Sequence, residues 1–264
     1  MLSEILTFIF FVLIGLEIRD GLQRPKDAAL PAISALGGML LPATIFMLLV
    51  PDSQAWAVAM PTDVALAIGA LSFLGKRVNP AVRLFLLTLA VADDFFSLIV
   101  IGIFFRDDLH LASAIYTLGA ASIGFILPMR HRLIAILSPI ATFGIIPIYI
   151  YINLLSQLDF AVSTSQITFS VVIARLVGKV LGISLFTYLA TRFTKLNLPT
   201  ALDLKEIVGI GFLAGMGLTV SIVIAEITLQ TESELAQVRL GLFFAAIASG
   251  LCGVLWLKRF PASL

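Results

Sequence analysis

Charge is what this sequence has least of. Asp, Glu, Lys and Arg supply 12% of its 264 residues while hydrophobic residues supply 60%, whereas soluble domains carry roughly 25% charged residues. With a mean hydropathy of +1.09, the composition excludes an ordinary soluble domain. Alternating apolar and polar strands are also missing, which excludes a transmembrane barrel; the apolar runs are continuous and about 18 to 25 residues long, the length of a membrane-crossing helix. Cysteine occurs once, as Cys252 within an apolar run, so neither an intrachain disulfide nor a thiolate metal site can form. His110 and His131 lie at loop edges and are spaced unlike metal ligands. A net charge of +1 with scattered positives points away from nucleic acid. No nucleotide loop, cofactor motif or catalytic triad is found, so neither an enzyme nor a cofactor is expected. The first stretch, Met1 to Gly15, has Glu4 where a signal peptide carries basic residues and lacks a small-x-small cleavage site, so it is read as a retained span.

What is present is an all-α polytopic membrane protein. Charged and Pro/Gly-rich breaks divide it into about nine spans, near 1–18, 29–50, 56–75, 81–105, 111–129, 133–155, 167–191, 206–229 and 236–257. Basic residues fall after every second span: Arg19, Arg24 and Lys26; Lys76, Arg77 and Arg83; Arg130 and Arg132; Arg192, Lys195 and Lys205; Lys258 and Arg259. The intervening breaks hold almost none, Arg106 excepted. This alternation satisfies the positive-inside rule with the N-terminus outside and the C-terminus cytoplasmic.

Inside this apolar background, Thr88 to Phe96 holds two adjacent carboxylates, Asp93 and Asp94. At the bilayer centre each Asp costs roughly 2.5 to 3.5 kcal/mol, while each Leu, Ile, Phe or Val returns about 0.3 to 0.6. An intramembrane acidic pair is therefore read as a functional site that needs a partner. Two further ionisable residues lie deep in spans: Asp63, next to Pro61 and Thr62, and Lys179, the lysine expected to pair with one of the acids. Arg175, one turn before Lys179, is assigned to the periphery of the site or to snorkelling towards the outer interface. Glu226 is read as interfacial.

Two spans are interrupted. Pro61 removes a backbone donor, so carbonyls freed from helical bonding are expected beside Asp63. The eighth span carries Gly209, Gly211, Gly215 and Gly217 before Leu218-Thr219-Val220-Ser221, which fits either close helix packing or an unwound segment. Together these interruptions suggest one membrane-embedded domain over 1–264 with inverted repeat-like units near 29–105 and 167–257, the site lying where the broken helices cross. Carboxylates, hydroxyls and freed carbonyls are hard oxygen ligands suited to Na⁺ or Li⁺, and a carboxylate holds either a proton or a metal cation. That competition, with alternating exposure to the two faces, suffices for cation/proton exchange; a cation channel or proton conduit would use the same acids.

Five stretches carry a family resemblance: Gly15-Leu16-Glu17-Ile18-Arg19, Pro61 to Gly69, Leu89 to Asp94, Gly178 to Ile183, and Gly211 to Ile222. In this order they resemble the bacterial Na⁺/H⁺ antiporters of the NhaA type. The resemblance implies a multi-pass inner-membrane transporter serving pH homeostasis, with Na⁺ or Li⁺ and H⁺ as cargo and homodimer formation among its expected arrangements. It implies that Asp93 and Asp94 form the ion and proton site, with Asp93 paired to Lys179 when no cation is bound. Thr62 and Asp63 would sit at the break, balancing helix-end dipoles, and Glu17 and Arg19 match an inner-face motif associated with pH response. The chain departs from the pattern by lacking the family's first span, by being about two spans short between Arg106 and Ser138, and by carrying Val180 where a proline is expected. Pro147 to Asn153 matches the family pattern only in part. A transport-inactive shortened homologue is therefore a third reading.

Overall fold

The computed structural model describes residues 2–21, 25–75, 78–104, 111–126, 140–199, 202–229 and 231–260, and every regular element within them is helical. Lipid offers the backbone no water to bond, so each apolar run closes its own hydrogen bonds. Helix α1 covers Leu2–Gly21 and α2 covers Pro25–Leu49. A 3₁₀ helix, Gln54–Ala59, then gives way to the non-helical residues Met60 to Asp63 before α3, Val64–Ser72. Helix α4 runs unbroken over Pro80–Phe104, followed by α5, Leu111–Ile126, and α6, Ile146–Asn153. Helix α7, Gln166–Ile173, passes through a π turn, Ala174–Gly178, into α8, Lys179–Phe193. Helices α9, Leu204–Ala214, and α10, Thr219–Thr228, are bent by 49° at their break, and α11 spans Glu232–Arg259.

Five helical runs among the described residues are long and apolar enough to cross a membrane, and the bent α9–α10 pair makes a sixth when taken as one span. The expected nine are not reached within these residues. Near 1–18 and 133–155 the apolar helices are shorter, Ile5–Leu16 and Phe143–Gln157, and the spans expected near 111–129 and 133–155 run into 127–139, outside the described residues. The interruption at Pro61 occurs as expected. The eighth span, for which packing and unwinding stood as alternatives, combines both: the helix breaks between Ala214 and Thr219, and a Cβ on Gly211 would meet the Cα of Val180.

The buried apolar residues form two clusters, and most long elements contribute to both. One holds Met39, Phe46, Val58, Ile101, Val171 and Val223; the other holds Leu30, Leu71, Leu86, Ile183, Ile207 and Leu213. Thus α2, α4, the α7–α8 run and both broken segments each pass from one cluster to the other. Asp63, Asp93, Asp94, Arg175 and Lys179 fall at the crossover points, so apolar packing seals the charged layer at both ends.

Among the described residues the most extensive helix contact, α2 along α8, depends on small residues. A Cβ on Gly37 would strike the Gly182 carbonyl, one on Gly182 would strike the Gly37 carbonyl, and Ser34 and Thr187 share a 2.6 Å hydrogen bond at the same interface. Because this contact holds the α8 lysine against the rest of the site, its loss should be felt globally. Gly182→Val is expected to lower the melting temperature of the purified protein, at a cost of at least the ~1–3 kcal/mol of an overpacked core. Gly69→Ala, whose Cβ meets nothing within 4 Å, should not; thermal unfolding in detergent compares the two.

Candidate functional site

Breaking two helices at membrane depth leaves two N-termini with spare N–H groups and two C-termini with spare carbonyls. The N-terminal ends converge on one carboxylate. Asp63 caps α3, its Oδ1 accepting from the N–H groups of Ala65 and Leu66 at 3.1 and 3.3 Å. Its Oδ2 accepts from the Thr219 hydroxyl at 2.8 Å and the Thr219 N–H at 3.4 Å. Thr219 is the first residue of α10, so a single negative charge faces the positive ends of both half-helices, where the dipole favours it.

The carbonyl ends converge on two cations. The guanidinium of Arg175 donates from Nε to the Gly215 carbonyl at 3.1 Å, from Nη1 to the Val58 carbonyl and the Ser221 hydroxyl at 2.7 Å each, and from Nη2 to the Pro61 carbonyl at 2.6 Å. Gly217 permits this approach, since a Cβ there would strike both the guanidinium and the Pro61 carbonyl. Lys179 Nζ donates to the Met60 carbonyl, to Thr62 Oγ1 at 2.9 Å and to Asp93 Oδ2 at 3.0 Å. Arg175, Lys179 and Asp93 are all 0% exposed. The carbonyls freed by the breaks, expected as ligands for a transported cation, are bonded in this structure by protein cations: Val58, Pro61 and Gly215 by Arg175 and Met60 by Lys179.

The unbroken α4 supplies the remaining acids. Asp93 uses only Oδ2 in its ion pair; its Oδ1 is buried without a hydrogen-bond partner. Asp94, next along the helix, is also buried. The charged layer so formed contains three carboxylates against two cations, and the one whose bonds are saturated is Asp63.

A family model described as Na⁺/H⁺ antiporter 1 matches residues 1–136 and 127–257. The chain belongs to this family. Among its relatives, the Na⁺/H⁺ antiporter NhaA 2 of Aliarcobacter butzleri is 29% identical, the comparison covering 96% of this chain and 80% of the relative. The Na⁺/H⁺ antiporters NhaA of Salmonella typhi and of Escherichia coli are likewise 29% identical, covering 97% of this chain and 82% of theirs. The comparison with the Salmonella protein runs over 319 residues, more than the 264 of this chain, so stretches of the relative have no counterpart in this antiporter.

Of the residues singled out in the sequence, Thr62, Asp63, Asp93, Asp94 and Lys179 lie in the one buried layer. Arg19 lies elsewhere: its Nη1 donates to the carbonyls of Phe125 and Ile126 at 3.0 Å each, closing the end of α5. The side chain of Glu17, like His110 and His131, is outside the described residues. Glu226, expected at the interface, has a side chain 35% exposed that faces Arg239 at 3.7 Å.

Arg175 is the correction. Assigned to the periphery, it sits instead at the centre, bonded to both broken segments. Its signal was available: it lies as deep in an otherwise uncharged run as an intramembrane functional residue does, and the default reading applied to Lys179 applies equally to it. Replacing it with leucine orphans the carbonyls of Val58, Pro61 and Gly215, each at ~1–3 kcal/mol. Arg175→Leu is expected to lower stability by more than ~3 kcal/mol, and Arg175→Lys by less. Thermal melts of both purified variants check this, and a leucine variant as stable as the parent would contradict it.

Proposed function

We propose that this protein exchanges Na⁺ or Li⁺ for H⁺ across the bacterial inner membrane by alternating access to Asp93 and Asp94. The observation that carries the reading is the Asp93–Lys179 pair: a fully buried carboxylate holding a lysine on one oxygen while the other is uncommitted. In the cation-free state Lys179 neutralises Asp93. An arriving Na⁺ takes the carboxylate oxygens, parting Lys179 from Asp93, and a proton held by the site leaves as it binds. When the site opens to the other face, protons from that side reoccupy the acids and the cation departs. Asp63 stands outside this exchange, because both its oxygens are engaged in holding helix ends.

The repeat-like units near 29–105 and 167–257 supply one broken segment each, which is the arrangement an inverted-repeat transporter uses. The loop charges support an outside N-terminus and a cytoplasmic C-terminus. Glu17 and Arg19 are retained as residues of an inner-face pH response, and association as a homodimer belongs to the same family-based reading.

Purified protein in liposomes under an imposed pH gradient separates the alternatives. The antiporter reading requires Na⁺ uptake tied to H⁺ efflux, whereas a channel passes Na⁺ without counter-movement of protons and an inactive homologue passes neither. Asp93→Asn and Asp94→Asn should each abolish the coupled flux. Because proton and cation compete for the same acids, lowering the pH should raise the apparent KM for Na⁺ while leaving the rate at saturating Na⁺ unchanged. A KM independent of pH would contradict shared occupancy.

A further inference from the structure

Hydroxyl side chains inside these helices have a habitual resting place. Ser34, Thr44, Thr88, Thr187 and Thr228 each donate to the carbonyl four residues earlier, at 2.6 to 2.9 Å, the local bond such residues make in helices. Ser97, Ser184 and Ser249 depart from the pattern, and of these only Ser97 shares a helix with Asp93 and Asp94. Ser97 lies on α4, is 1% exposed, and its Oγ has no hydrogen-bond partner. Leaving a buried hydroxyl unsatisfied costs about 1–3 kcal/mol, and an alanine would avoid that cost.

Residues four apart share a helix face, with Cβ atoms about 5–6 Å apart, and the residue one turn before Ser97 is Asp93, whose Oδ1 is likewise buried and without a partner. The other hydroxyl and carbonyl oxygens at the two breaks that Lys179 and Arg175 reach are engaged. Thr62 Oγ1 accepts from Lys179, Ser221 Oγ accepts from Arg175, and the carbonyls of the two breaks are held by the same two cations.

We infer that the Ser97 hydroxyl is a ligand of the transported cation, bridging with Asp93 Oδ1 around Na⁺ or Li⁺. The inference rests on the reading of the Asp93–Asp94 pair as the ion site and adds to it a neutral, hard oxygen from the same helix face. A neutral donor contributes affinity for the metal ion without adding a carboxylate that a proton can neutralise. It therefore favours Na⁺ or Li⁺ in the competition with H⁺.

The test uses the purified protein in liposomes, with Na⁺ and then Li⁺ as the transported ion. Ser97→Ala should raise the cation KM about fivefold to tenfold with kcat near that of the parent and a melting temperature at or above it, and Ser97→Thr, which keeps the hydroxyl, should restore KM. Ser97→Cys, offering a softer donor, should follow alanine and serves as the second variant should alanine not fold. An unchanged KM in the alanine or cysteine variant, with Asp94→Asn inactive, overturns the ligand role of Ser97 and leaves the ion site standing. An Asp94→Asn variant that transports like the parent overturns the ion site and the inference with it.

Discussion

Everything in this molecule depends on how two interrupted helices are tolerated in a medium without water. A helix end at membrane depth exposes N–H groups or carbonyls that lipid cannot bond, and here ions of opposite sign meet ends of opposite polarity. Asp63 takes the amide ends through Ala65, Leu66 and Thr219. Arg175 and Lys179 take the carbonyl ends through Val58, Met60, Pro61 and Gly215. Breaking any one of these leaves a buried charge or a buried backbone group alone, at about 3–5 kcal/mol for an ion deprived of its partner. The two apolar clusters then close over the layer from either end.

The division of labour among the three acids follows from the same accounting of bonds. Asp63 is engaged on both oxygens and acts as a structural anchor. Asp93 is only half engaged, because Lys179 reaches one oxygen and must also serve Met60 and Thr62. Arg175 relieves the lysine of the other freed carbonyls, so the lysine that pairs with Asp93 is bound to the breaks by fewer contacts than the guanidinium is. A pair of this kind can be parted by an incoming ion without dismantling the breaks themselves.

Much of this was legible in the chain. Continuous apolar runs determine helices in lipid, Pro61 marks a break because it lacks a donor, and Asp63, Asp93, Asp94 and Lys179 stand out because each is expensive at that depth. What could not be read is the matching of partners, because it is tertiary. Arg175 has a side chain long enough either to snorkel or to reach inward, and only the placement of Val58, Pro61 and Gly215 around it decides the matter. Nor does a linear sequence distinguish Asp63, saturated by Thr219 from more than 150 residues away, from Asp93, which keeps an oxygen uncommitted. The family's longer relatives contain stretches with no counterpart here, while both breaks and the ions that hold them are present in this chain.

The central claim is that cation and proton occupy the same buried acids in turn. Titrating the purified protein with Na⁺ in weakly buffered solution at alkaline pH, while recording both the heat of binding and the protons released, tests it directly. The account predicts saturable binding accompanied by proton release, both lost in Asp94→Asn. Saturable binding with no proton release, or binding unaffected by that substitution, would contradict it.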